Sequence, residues 1–191
     1  MKKIALILIL FLSLIMMTSC KGDKNMIVIE LMDGREIKLE LYPDVAPETV
    51  KHFYKLIKAK HFDNVIFHRV IEGFMIQAGA LVYDGQGLDY NEKVDSIKGE
   101  FTSNGFVNNL KHEEGVISMA RTNDPNSASG QFFICSDTSP HLDGSYAAFG
   151  RTVDQESLDV VKDISRVETV SFSGFNDFPA ELVIIKTIKR L

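Results

Sequence analysis

Two runs of alternating apolar residues meet at a tight turn signal early in the chain. Ile27, Ile29 and Leu31 fall on period two in the first run, and Ile37, Leu39 and Leu41 in the second, with Asp33-Gly34 between them. Successive strand side chains point to opposite faces, so each run has one apolar face to bury. An Asp-Gly step between two such runs marks a hairpin, because both residues tolerate the positive φ that a tight turn requires. A lone hairpin leaves one face bare and two edges unpaired, so the rest of the chain must cover both. From Val65 onward it offers short β-like segments at 65–70, 74–78, 115–120, 131–136 and 147–152, separated by Gly, Asn, Asp and Pro, and a closing strand at 182–188.

Helical periodicity appears in two places. Pro47 suits the first turn of a helix and Glu48 its positive end. Val50, Phe53, Tyr54 and Ile57 then follow at i, i+3, i+4 and i+7, while Lys51, Lys55 and Lys58 fall on other faces and read as solvated. A second helix is expected near 155–165, with Leu158, Val161 and Ile164 inward. About eight short strands, two helices and no βαβ rhythm predict a mainly β protein. The expected architecture is a closed eight-stranded antiparallel β-barrel capped by two α-helices, since closure removes the exposed edges. The 191 residues fit one domain with no internal repeat, and residues 84–109 read as a long surface loop. A net charge of −5 argues against a nucleic-acid surface, and 45% apolar residues exclude disorder.

The N-terminus reads as an address. Lys2 and Lys3 precede fourteen residues, 4–17, that are apolar except for Ser13. At 1.5 Å per residue such a run spans about 21 Å, short of the roughly 30 Å hydrocarbon core, which points to an export signal instead of a span. Met17-Thr18-Ser19-Cys20 places small residues directly before a cysteine and resembles a bacterial lipoprotein signal. That resemblance implies a signal over 1–19, a lipidated Cys20 with a short tether over 20–25, and a domain over 26–191. It also implies an exported protein held by acyl chains at a bacterial membrane, the outer membrane by the residue after Cys20, which is Lys21 and not Asp. Cys135, the other cysteine, lies in the apolar run Phe132-Phe133-Ile134-Cys135 and reads as a buried small hydrophobe.

Two later segments carry chemistry. In Phe67-His68-Arg69-Val70-Ile71, strict alternation puts Arg69 on one face with Phe67 and Ile71, and His68 and Val70 on the other, an odd setting for a merely solvated charge. In the second, a strand through Ser118-Met119-Ala120 enters a polar loop and returns as Gln131-Phe132-Phe133, where alternation lets only one phenylalanine face a pocket. The five histidines lack metal-ligand spacing, and no G-x-S-x-G elbow occurs, so neither a metal site nor a serine hydrolase is expected.

FHRVIEGFMIQAG from Phe67, GVISMARTNDPNSASGQFFI from Gly115 and HLDGSYAAFG from His141 resemble, in order, three segments of the cyclophilin family of peptidyl-prolyl isomerases. The resemblance covers roughly 27–188 and implies an eight-stranded barrel with two capping helices. It implies Arg69 as the catalytic residue, and Phe74, Met75, Phe133 and Leu142 as an apolar pocket for a proline ring. Gln77 and Gln131 would lie near the rotating bond, Ala120, Arg121 and Thr122 at the strand end that receives substrate backbone, and His141 and Tyr146 on the rim. No cofactor or metal is implied. The expected partners are proline-containing segments of exported proteins, with no nucleic acid, and the expected state is a monomer. Ala78 and Ala80 depart from the family's usual Gly and Asp, and His141 stands where cyclosporin-sensitive members carry Trp. A binding module that keeps the pocket but turns over poorly is the alternative reading.

Overall fold

The computed structural model describes residues 25–191. The expected export signal over 1–19, the expected lipidation at Cys20 and all but the last residue of the expected tether fall outside the described residues. The anticipated hairpin forms from β1 (Met26–Leu31) and β2 (Glu36–Leu41), with Ile29 opposite Ile37 and Ile27 opposite Leu39. Gly34 turns at φ +90°, and the Asp33 carboxylate accepts the Arg35 N–H at 3.0 Å.

Helix α1 (Pro47–Lys58) begins at its proline. The N–H groups of Glu48 and Thr49 donate to the Glu100 carboxylate at 3.1 and 2.8 Å, so an anion from a distant loop caps the helix. The buried arc of α1 includes Thr49, His52 and Leu56 beside Val50 and Phe53, while Tyr54 and Ile57 are only half-buried. Strands β3 (Val65–Ile71), β4 (Met75–Tyr83), β5 (Leu88–Tyr90), β6 (Val116–Met119), β7 (Phe132–Cys135) and β8 (Ala148–Thr152) follow. Helix α2 (Gln155–Ser165) has the expected bounds and is capped by Asp154, which accepts the Ser157 N–H at 2.8 Å. Val160, Val161 and Ile164 are its buried apolar residues, and Leu158 is half-buried. A hairpin of β9 (Thr169–Phe172) and β10 (Phe175–Pro179) precedes the closing strand β11 (Ile185–Arg190).

The strands run in the order β11-β1-β2-β8-β6-β7-β4-β3, every pairing antiparallel, with β5 added to β4. A bridge between Ile66 and Ile184, and the Phe67 N–H on the Val183 carbonyl at 3.0 Å, nearly close the eight-stranded barrel. Phe53 of α1 plugs the barrel, its ring 4.9, 5.5 and 5.1 Å from those of Phe62, Phe132 and Phe149. Aromatic rings at such separations gain about 0.5–1.5 kcal/mol per pair beyond the area they bury.

Three sequence expectations need correction. Residues 84–109 are not simply a surface loop: they contain β5, and Glu100, Phe101 and Asn108 are buried. The β9–β10 hairpin was not anticipated. Strict alternation also fails in β3, where Phe67 lies opposite Ala78 and Arg69 opposite the adjacent Gln77. This bulge inserts one extra residue, so Phe67 and Val70 both enter the core while His68 and Arg69 both lie outside it. Arg69 therefore shares the outer face with Ile71 and not with Phe67.

Candidate active site

The barrel wall is two-sided at β4 and β7. Ile76, Ala78, Phe132 and Ile134 point into the core, and Met75, Gln77, Phe133 and Cys135 point outward. Met75 and Phe133, with Leu142 from a short 3-10 turn (Pro140–Leu142), form a buried apolar floor. Phe74, Ala120 and Tyr146 pack against it, and Arg69, Gln77 and Arg121 complete a cavity of about 140 Å³.

Each polar group at this cavity has a visible restraint. Arg69 is about two-fifths exposed, and its Nε donates to the Asp177 carboxylate of β10 at 3.2 Å. Among the described residues its two terminal nitrogens make no further hydrogen bond. Gln77 donates to Gln131 at 3.0 Å. That pairing depends on Gly79 at φ +109°, where a Cβ would run into the Gly130 carbonyl and the Gln131 Cα. Arg121 is committed inward: Nε and Nη2 donate to the Ser145 carbonyl at 3.0 and 2.8 Å, and Nη1 donates to the Thr122 carbonyl at 2.8 Å. Its guanidinium also lies 4.6 Å from the Tyr146 ring centre and 5.1 Å from that of Phe101, so it braces the rim.

The remaining sequence candidates stand outside the cavity wall. Gln131 lines a neighbouring cavity of about 590 Å³, together with Gly79, Ala80 and residues 90–94. Thr122 is exposed and bonds the Ser127 hydroxyl through both its N–H and Oγ1, holding the loop together. His141 is exposed, its ring 5.3 Å from that of Phe74. Asp177 escaped the sequence reading; its signal would have been Phe172-Ser173-Gly174-Phe175, a turn dipeptide inside a period-two run.

Beneath the floor lies a buried polar chain. His112, stacked on Phe133 at 6.0 Å, meets the Asp143 carboxylate through Nδ1 and the Ser118 hydroxyl through Nε2, both at 3.1 Å. An ionised carboxylate only accepts, so Nδ1 carries the proton and Nε2 accepts from Ser118. Burial lowers the His112 pKa against the opposing pull of Asp143, so the ring is held neutral. Burial also pushes Asp143 up, but hydrogen bonds from His112 and Lys111 outweigh it and keep the carboxyl below its ordinary range. Cys135, sealed behind the floor, has its thiol pushed up to about 12 by burial. Among the described residues no group of three or more His, Cys, Asp or Glu is placed to hold a metal ion.

An apolar niche sized for one small ring, with a partly exposed guanidinium at its mouth, on the outside of a barrel defines a protein with a small-ring binding site in its barrel wall. Comparison with known proteins gives this class a family. The model of the cyclophilin type peptidyl-prolyl cis-trans isomerases matches residues 26–190. Peptidyl-prolyl cis-trans isomerase cyp18 of Streptomyces antibioticus is 39% identical over 163 residues, which cover 81% of this chain and 92% of that protein. A probable peptidyl-prolyl cis-trans isomerase of Brucella suis is 33% identical over 159 residues, 78% of each chain. The crystal structure of a Cryptosporidium parvum cyclophilin in the presence of the dipeptide Ala-Pro superposes with a TM-score of 0.66 at 28% identity, covering 87% of this chain and 98% of that one. The chain belongs to the cyclophilin family and is a peptidyl-prolyl cis-trans isomerase.

Proposed function

We propose that this isomerase seats a proline ring in the Met75–Phe133–Leu142 niche and uses Arg69 to ease rotation of the preceding peptide bond. The observation that carries the reading is the shared cavity: an apolar floor and a guanidinium border one space of about 140 Å³. An apolar cavity of about 150 Å³ holds a benzene ring, so a pyrrolidine ring is within its range.

The chemistry follows from the amide. Nitrogen donates its lone pair into the carbonyl, which sets a rotational barrier of about 18–20 kcal/mol. At the twisted geometry that lone pair returns to the prolyl nitrogen, which then accepts a hydrogen bond it refuses in the planar ground state. An arginine donor aimed there binds the transition state in preference to either isomer. A gain of about 10⁵ needs about 7 kcal/mol. The niche holds the ring while the carbonyl side swings, and the Gln77–Gln131 pair offers that moving carbonyl a polar wall. Arg121, Tyr146 and Ala120 shape the rim; Thr122 and His141 would meet only longer substrates.

The same reading extends to location. Lys2-Lys3, the apolar run and Ser19-Cys20 support export and lipidation, with the domain held at a bacterial membrane, the outer one by Lys21. Its substrates are then proline-containing segments of exported proteins, whose slow isomerisation limits folding. The pocket is tested by the Met75 methyl NMR signal on titration with an X-Pro peptide. The signal should shift with proline and stay still when Ala replaces it; equal shifts with both would overturn the assignment. Mass spectrometry of the membrane-extracted N-terminal peptide should find Cys20 carrying a lipid, and an unmodified Cys20 would remove the anchor.

A further inference from the structure

The lysines of α1 lie along one groove. Lys51, Lys55 and Lys58 are exposed, and with Tyr54 and Arg190 they line a groove of about 420 Å³. Arg190 of β11 lies across the Tyr54 ring at 4.1 Å, which ties the end of the closing strand to this helical face. The groove is therefore basic at its rim and largely aromatic and aliphatic at its floor, on a chain whose net charge is −5. Glu48 pairs with Lys51 at 3.2 Å, and Glu40 lies opposite Met26 in the sheet.

The chain enters the domain at this same edge. Ile27 pairs with Arg190, and the Leu191 N–H donates to the Met26 carbonyl at 3.0 Å. Only Lys21 to Asn25 separates Cys20 from Met26, a reach of about 20 Å when fully extended. A domain of this size is about 40 Å across, so a lipid on Cys20 would keep the Met26–Arg190 edge nearer the bilayer than the opposite wall. In the barrel order β11-β1-β2-β8-β6-β7-β4-β3, β1 stands four strands from β7, on the opposite wall. The niche on the outer face of β4 and β7 therefore looks away from the anchored edge.

We propose that the Lys51–Lys55–Lys58 face of α1 docks on the anionic phospholipid headgroups of the membrane that holds Cys20, and so turns the proline niche outward to incoming chains. Phosphates would meet the lysines, while Tyr54 presents an aromatic body at headgroup depth. Each basic side chain close to an anionic leaflet raises partitioning about fivefold, an effect that salt screens away. The inference rests on the lipid anchor proposed above, and its test keeps the two apart.

The full chain, extracted from bacterial membranes, is reconstituted into neutral phosphatidylcholine vesicles and into vesicles in which a third of the lipid is phosphatidylglycerol. Amine-reactive footprinting then compares Lys51, Lys55 and Lys58 with Lys93 and Lys98, and the mass of the Cys20 peptide is read from the same digests. Labelling of the α1 lysines should fall several-fold in the anionic vesicles and recover at high salt, with Lys93 and Lys98 unchanged. Equal labelling in both vesicles, on a chain whose Cys20 is lipidated, overturns the docking surface and leaves the anchor standing. Salt-sensitive protection on a chain with unmodified Cys20 supports the surface and overturns the anchor. Neither lipid nor protection overturns both.

Discussion

Replacing Asp177 tests how Arg69 is aimed. Its carboxylate meets Nε of the guanidinium at 3.2 Å, and among the described residues the terminal nitrogens of this cavity-lining side chain make no further hydrogen bond. The two side chains are 41% and 38% exposed, so solvent screens the pair and its loss should cost the fold less than about 1 kcal/mol. Catalysis should suffer more. A free arginine side chain carries about 2 kcal/mol of rotamer entropy, and much of it returns when this charged partner is removed. Re-ordering Arg69 in each transition state then costs about 1–2 kcal/mol, or a 5- to 30-fold fall in kcat for Asp177→Ala. KM should barely move, because the floor that grips the ring is untouched. Asp177→Asn keeps an acceptor and should fall between the two. The assay is kcat and KM on an X-Pro peptide beside a urea unfolding curve. An Asp177→Ala enzyme with undiminished kcat would refute the reasoning, since Arg69 would then be aimed by something other than the β10 carboxylate.

Other predictions concern groups around the site. His68 is buried against Phe175, and burial takes its pKa from 6.5 to about 4. Between those values the unfolded chain binds the proton and the folded one does not, so stability present above pH 6.5 falls with acidification by up to about 3 kcal/mol. Neutral His112 adds to this in the same direction. His68→Phe keeps the ring and should flatten the urea midpoint between pH 7 and 4; an unchanged slope would contradict it. Gly79→Ala should cost at least about 3 kcal/mol, because both its φ and the Gly130 backbone reject a Cβ. A urea midpoint close to wild type would count against that crossing. Cys135 should resist thiol reagents at pH 8 until denaturant is added, and fast modification of the folded protein would show the floor to be open.

Local signals made much of this fold legible. The β1–β2 hairpin announced itself through period two and Asp33-Gly34, and α2 through its periodicity, because in both the determining residues are neighbours in sequence. The niche has a different origin: alternation separates Phe132 from Phe133, and the family resemblance named Arg69, Phe74, Met75 and Leu142, which the fold brings to one cavity. Most of what escaped depends on partners far along the chain. The β3 bulge arises where Phe67 and Arg69 meet adjacent residues of β4, and no residue in 65–71 encodes it. Glu100 capping α1 spans 52 positions, and Asp177 on Arg69 spans 108. The bonds that hold Arg121 on the Ser145 carbonyl and Thr122 on the Ser127 hydroxyl also join residues well apart in sequence or across a loop, and were not readable from the local pattern. The β9–β10 turn was readable, since Ser173-Gly174 sits between Val170-Phe172 and Phe175, with both turn residues at positive φ.

The most direct test of Arg69 is NMR exchange spectroscopy on an X-Pro peptide, comparing the wild-type enzyme with Arg69→Ala at equal peptide occupancy. The account predicts rapid cis–trans exchange with the wild type and, in the variant, exchange slowed at least a hundredfold while the peptide still binds. Exchange that persists undiminished in Arg69→Ala would contradict it and move the catalytic role to another group at the niche.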